Sequence, residues 1–191
     1  DWNSFQEACE YSFIPGENMI WADTSGTIGW QAVGISPVRP NFSGMVPVPG
    51  DGRYEWNGYW PIIVKPHLTN PPKGFWATAN QHVTPETYSH PDALAYTWSD
   101  NYRGDRVNEV LARETRATIE GSIELQTDVT SIPARILTPL LLSVQVGDSQ
   151  AQKGIEWMRN WDYRLEASSV EAAMYVTWER ILAKKARALW V

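Results

Sequence analysis

The rhythm of hydrophobic and polar positions along this chain passes from helical to alternating, then to none, then back to helical. Phe5, Ala8 and Cys9 recur at helical spacing between Trp2 and Tyr11, and the run stops ahead of Pro15-Gly16, a pair that ends regular structure. Met19 to Ala22 and Thr27 to Val33 are rich in β-formers and predict two strands. Asp23-Thr24-Ser25-Gly26 between them supplies the small polar residues and glycine of a hairpin turn. Residues 35–74 follow no period, because prolines from Pro37 to Pro72 interrupt every window. Tyr54, Trp56, Tyr59 and Trp60 nevertheless make the segment too apolar for a free linker, which predicts a long ordered loop pinned by aromatics. Loops of that length within domains usually carry function. The turn Asn70-Pro71-Pro72-Lys73-Gly74 leads into a short buried strand predicted over Phe75 to Thr78.

Helical spacing returns after residue 101. Val107, Val110 and Leu111 mark one amphipathic face, and Ile136, Leu140 and Leu141 another, on a helix that Ser131 caps with Pro133 in its first turn. For the last helix, Ser168 and Glu171 fit a capping box, and Val170, Met174, Trp178 and Ile181 predict its buried face. The chain therefore reads as α+β. Its strand- and loop-rich part covers 1–100 and its helical layer 101–191, two halves of one domain.

Charge sharpens this division. Of the 22 acidic and 16 basic side chains, 10 and 4 fall before residue 101, so the whole net charge of −6 sits in the first half. Such a balance argues against a nucleic-acid partner, which needs clustered Lys and Arg. No stretch has the roughly 20 apolar residues of a membrane-spanning helix. The first residues lack the basic and apolar regions of a signal peptide, so any export signal is expected upstream or already removed. The single cysteine, Cys9, excludes an internal disulfide and reads as a small apolar filler.

Common catalytic signatures are missing: there is no G-x-S-x-G elbow, no phosphate-cradling loop, no G-x-G-x-x-G and no paired C-x-x-C. His67, His82 and His90 lie in proline-rich loops and read as surface residues. His90 and Asp92, two apart, are a weak candidate for metal ligation, having no third partner nearby. Trp56, Trp60 and Trp76 suggest an alternative function, a non-catalytic module gripping a glycan or peptide, although tryptophans at irregular intervals are ordinarily core and loop anchors.

An ordered run of motifs carries more information. Trp21-Ala22-Asp23-Thr24-Ser25-Gly26-Thr27-Ile28-Gly29-Trp30 is followed by Pro47-Val48-Pro49-Gly50, Glu55-Trp56-Asn57-Gly58-Tyr59, Asn70-Pro71-Pro72-Lys73-Gly74, Ala77-Thr78-Ala79-Asn80-Gln81 and Tyr102-Arg103-Gly104-Asp105-Arg106. Farther on come Leu125-Gln126-Thr127-Asp128-Val129 and Trp161-Asp162. No one motif is specific, but their order and spacing over nearly the whole chain resemble the large subunit of the penicillin acylase family of N-terminal-nucleophile amide hydrolases.

That resemblance implies part of a layered αββα sandwich, from a precursor that cleaves itself into a small and a large chain. It implies hydrolysis of N-acyl amides by a serine that begins the large chain and uses its own α-amine as base. The matched motifs lie downstream of that serine, and Ser4 is not a substitute, since its amine is in a peptide bond. The expected chain is thus an internal, nucleophile-lacking fragment, inactive alone, whose partners are an N-acyl small molecule, the small α chain and the N-terminal part of the large chain.

Asn80 matches the family asparagine whose amide donates to the tetrahedral oxyanion, where one such donor is worth about 3 kcal/mol of barrier. Read without the resemblance, it is a turn residue after a strand. Arg106 matches the arginine near the nucleophile's amine, a fixed cation that helps keep that amine neutral. Its plain reading is a helix-surface salt bridge with Asp105 or Glu109, and Arg103 competes for the role. Asp92 falls at a carboxylate ligand of a structural calcium, with the other ligands outside this chain. Its plain reading is a surface aspartate or helix cap. No organic cofactor is implied. The family's usual setting is periplasmic or secreted, with one cysteine equally compatible with the cytoplasm.

Overall fold

The computed structural model describes residues 1–189. It divides into two compact units, Asp1–Gly104 and the residues from Asp105 onward.

In the first unit the opening helix, α1 (Trp2–Cys9), is capped by Asp1, whose carboxylate accepts from Ser4 N at 2.9 Å. The hairpin forms as the turn chemistry requires: β1 (Asn18–Ala22) pairs antiparallel with β2 (Ile28–Ala32), Ile20 opposite Trp30. Asp23 Oδ1 organises the connection by accepting from Ser25 N at 2.8 Å and Thr27 N at 3.0 Å, while Gly26 takes φ +90°. Gly29 on β2 is required for another reason: a Cβ there would lie 2.3 Å from the Trp2 ring, so this close approach of α1 needs a glycine.

A third strand, β3 (His67–Thr69), completes the sheet in the order β1-β2-β3, within the segment where the sequence predicts only loop. Three residues between Pro66 and Pro71 are too few to show alternation. Their pairing comes from the free edge of β2, with Trp30 opposite Leu68 and Asn70 Oδ1 accepting from Ile28 N at 3.0 Å. Conversely, the strand predicted over Phe75 to Thr78 is absent; these half-buried residues have no ladder. Apolarity there serves ring packing instead, with Trp76 5.2 Å from Trp30 and Lys73 Nζ 4.8 Å above Trp76. The core gathers Cys9, Val33 and Ile62 with Phe5 and Met19. Gln31, fully buried on β2, accepts from Gln6 Nε2 at 2.9 Å and donates to Ala32 O at 3.0 Å, so its burial costs no unmet hydrogen bond.

The second unit is helical: the greater part of α2 (Tyr102–Leu111), then α3 (Ile119–Gln126), α4 (Ile132–Leu142), α5 (Ser149–Trp157) and α6 (Val170–Ala188). Side chains of Thr118, Ser131, Asp148 and Ser169 cap the last four. The α6 cap is Ser169, one residue later than the Ser168 box predicts; Ser169 Oγ accepts from Ala172 N at 3.0 Å. Of the predicted face, Trp178 packs against a core of Ala134, Met158, Trp161, Ala172 and Tyr175, whereas Val170 and Ile181 are exposed. In α4, likewise, Ala134, Leu137 and Leu141 face the core while Ile136 and Leu140 are exposed. Its sequence is apolar on nearly every side, so spacing alone selects no face.

Candidate active site

The segment carrying Asn80 is held by its neighbours. Gln81, next in sequence, folds back: its side-chain amide donates to Ala77 O at 3.2 Å and accepts from Ala79 N. Gly104 lets α2 start against that clamp, since a Cβ there would meet Gln81 Cδ at 2.6 Å. Asn80 O accepts from Ser99 N at 3.2 Å, which ties the loop to the approach of α2. Within this frame Asn80 takes φ +66°, a left-handed conformation that asparagine tolerates better than most residues.

Its side chain is then fixed from one side. Arg103 Nη2 donates to Asn80 Oδ1 at 2.7 Å. A guanidinium has only donors, so the atom facing it must be the amide oxygen, and the orientation of the amide is chemically determined. The NH2 is turned away, and among the described residues it donates to nothing. Asn80 is exposed, so this donor faces outward from the unit. The arrangement is a neutral amide donor, pinned by a cation and free to meet an oxygen that acquires charge.

Arg106, the other arginine expected at the site, belongs to the second unit and is engaged with carboxylates there. Its Nη2 and Nε lie 2.7 and 3.1 Å from Asp128 Oδ2, and its Nη1 is 3.3 Å from Glu109. Glu109 is also 2.6 Å from Arg135 and 2.9 Å from Arg113. Burial would raise the Asp128 carboxyl, but hydrogen bonds from Arg106 and Thr130 and the Arg106 charge outweigh it and hold the pKa down at about 2. The same contacts push the Arg106 pKa upward, leaving a permanent, immobile cation.

Asp92 lies in a short 3-10 turn, Pro91–Ala93, where its Oδ2 accepts from Trp60 Nε1 at 2.9 Å. No group of three or more His, Cys, Asp or Glu suited to a metal occurs among the described residues. The residues present do not assemble a calcium site by themselves. His90 packs on Trp60 at 4.5 Å, His82 on Trp98 at 5.0 Å, and His67 Nδ1 bonds Lys65 O at 2.8 Å. Cys9 is buried, and burial pushes its thiol up, away from the reactive thiolate. Of the three loop tryptophans, Trp60 and Trp76 are half-buried anchors, and Trp56 is exposed beside Tyr59. Spacing alone hides the Asn80–Arg103 contact, because 23 residues separate the pair and only the loop's return to α2 joins them.

Comparison with known proteins identifies relatives of the chain. A family model described as penicillin amidase matches residues 1–190. The penicillin acylase 2 proenzyme of Pseudomonas sp. strain SE83 is 30% identical over 169 residues, covering 87% of this chain and 22% of that protein. The acyl-homoserine lactone acylase QuiP of Pseudomonas fluorescens strain Pf0-1 is 32% identical over 173 residues, 83% of this chain and 21% of that protein. The chain thus spans about a fifth of the length of these relatives. Among solved structures, a thermostable penicillin G acylase from Alcaligenes faecalis superposes with a TM-score of 0.66 at 22% identity, over 88% of this chain and 31% of that one. The two share a fold, and the α+β class, with a small sheet and six α-helices among the described residues, agrees with it.

Proposed function

We propose that this chain, which belongs to the penicillin amidase family, is part of an enzyme that hydrolyses the amide bond of N-acyl small molecules through a serine nucleophile supplied by another part of the protein. The penicillin acylases and homoserine lactone acylases it resembles are named for different substrates, and both bear an acyl amide. The bond rather than the acyl group is therefore the common target.

In this reading the serine hydroxyl attacks the amide carbonyl, and negative charge collects on its oxygen. Asn80 meets that oxygen with its NH2. Arg103 raises the quality of the donor twice: it prevents the amide from flipping, and its charge on Oδ1 draws density from the NH2. Arg106 keeps the role of fixed cation by the nucleophile's amine, held there by Asp128 and Glu109. The serine, the small chain released by self-cleavage and the remaining ligands of an Asp92 calcium complete the enzyme. A periplasmic or secreted setting belongs to the same reading. No helix among the described residues is long and apolar enough to cross a membrane.

The observation that carries the proposal is the pinned, outward-facing amide of Asn80. Exposed aliphatics support an incomplete surface: Ile123, Ile136, Leu140, Val170 and Ile181 are each more than half exposed, as expected of faces that other segments cover. In the full-length protein assayed on a chromogenic N-acyl anilide, Asn80→Ala lowers kcat about 10²–10³-fold with KM little changed. Arg103→Met, which frees the amide to rotate, lowers kcat by about tenfold or more without loss of stability. Unchanged hydrolysis by Asn80→Ala would remove Asn80 from the mechanism.

A further inference from the structure

Away from Asn80, the first unit contains a pocket of about 310 Å³, near the lower end of the ~300–1,000 Å³ usual for small-molecule sites. The end of α1 and the segments around Phe13, Ile35 and Tyr59–Ile62 form its walls, and Lys65 lines it. Lys65 is only 3% exposed. Its backbone is satisfied, with N donating to Ile62 O at 3.0 Å and O bonded by His67 Nδ1. Its ammonium has no hydrogen-bond or ion-pair partner among the described residues, although Glu10 also lines the pocket. Burial accordingly pushes the lysine below its ordinary pKa.

A buried cation that forms no ion pair among the described residues is an unmet electrostatic demand, and a pocket beside it gives an anion access. The surroundings define that anion. A single ammonium with no arginine lining the pocket suits one negative charge rather than a phosphate. Phe13, Ile35, Tyr59 and Pro61 offer an apolar wall to the rest of the molecule.

We propose that this pocket binds a small organic acid, its carboxylate paired with Lys65 Nζ and its apolar body lying against Phe13, Ile35, Tyr59 and Pro61. The site is separate from Asn80 and is tested by binding rather than hydrolysis, so its failure and the failure of the amidase reading are distinguishable.

The experiment is calorimetric titration of the full-length protein with hexanoate and with 1-hexanol, its neutral counterpart. Wild type is expected to bind the acid saturably and at least about tenfold more tightly than the alcohol. Lys65→Met should lose about tenfold or more in acid affinity, Lys65→Arg should retain most of it, and both should hydrolyse N-acyl anilides at the wild-type rate. Equal binding of acid and alcohol, or undiminished acid binding by Lys65→Met, would overturn the proposal. So would the absence of saturable hexanoate binding, the result expected if a carboxylate from another part of the protein occupies the pocket. Should Lys65→Met fail to fold, the acid-against-alcohol comparison in the wild type decides alone.

Discussion

The two units hold themselves together by different means. In the first, side chains reach backbone groups far along the chain: Ser36 Oγ donates to Ala93 O at 2.8 Å, Tyr88 OH to Val64 O at 2.9 Å and Asn41 Nδ2 to Arg53 O at 2.8 Å. In the second, caps act within three residues, and ion pairs around Glu109 join α2, α4 and the segment before it. Arg103 and Arg106 show the difference at close range. Three residues apart on one helix, the first orients a neutral amide and the second neutralises carboxylates. Long-range hydrogen bonds fix individual atoms and suit a reacting centre; periodic packing fixes whole faces and suits a scaffold.

The largest test of that contrast is Tyr175→Ala. Tyr175 is 1% exposed between Trp161 and Trp178, with ring centroids 5.5 and 6.1 Å away. Its truncation should cost about 3–5 kcal/mol in denaturant unfolding of the full-length protein. A loss under about 1 kcal/mol would mean that packing is not what secures the helices. Next comes acid. The folded Asp128 carboxyl titrates at about 2, below its ordinary 3.8, so its contribution is complete above about pH 4 and disappears as pH falls towards 2. Unfolding midpoints should reveal about 2 kcal/mol of pH-dependent stability in that window, absent from Asp128→Asn. Parallel curves for the two proteins would show that the ion pair secures nothing. The smallest effect separates two adjacent serines: Ser169→Ala should cost about 1 kcal/mol and Ser168→Ala under about 0.5 kcal/mol in the same measurement. Reversal of that order would move the α6 cap back to Ser168.

The sequence displays what is local and hides what is not. The hairpin turn at Asp23 to Gly26 and the Ser131 cap were legible because each is made by residues within four positions of one another. Strand β3 was not, since its three residues acquire a ladder only from β2, some forty positions earlier. The buried faces of α4 and α6 were legible in part: Leu141 and Trp178 pack against the core as their spacing predicts, whereas Ile136, Leu140, Val170 and Ile181 are exposed, and on α4 apolar residues on nearly every side leave the face undetermined. At the candidate site, Asn80 and both arginines were visible as members of ordered motifs. Which arginine grips the amide depended on a loop closing over 23 residues, and spacing contains no trace of that closure.

The left-handed backbone at Asn80 limits what this position can become. At φ +66° the residues that sit most comfortably are glycine, asparagine, aspartate and histidine. A neutral side-chain amide that can present an N–H narrows the set to asparagine and glutamine. Only asparagine belongs to both groups. A saturation library selected for hydrolysis should return asparagine alone, and one selected for folding should be enriched in those four residues.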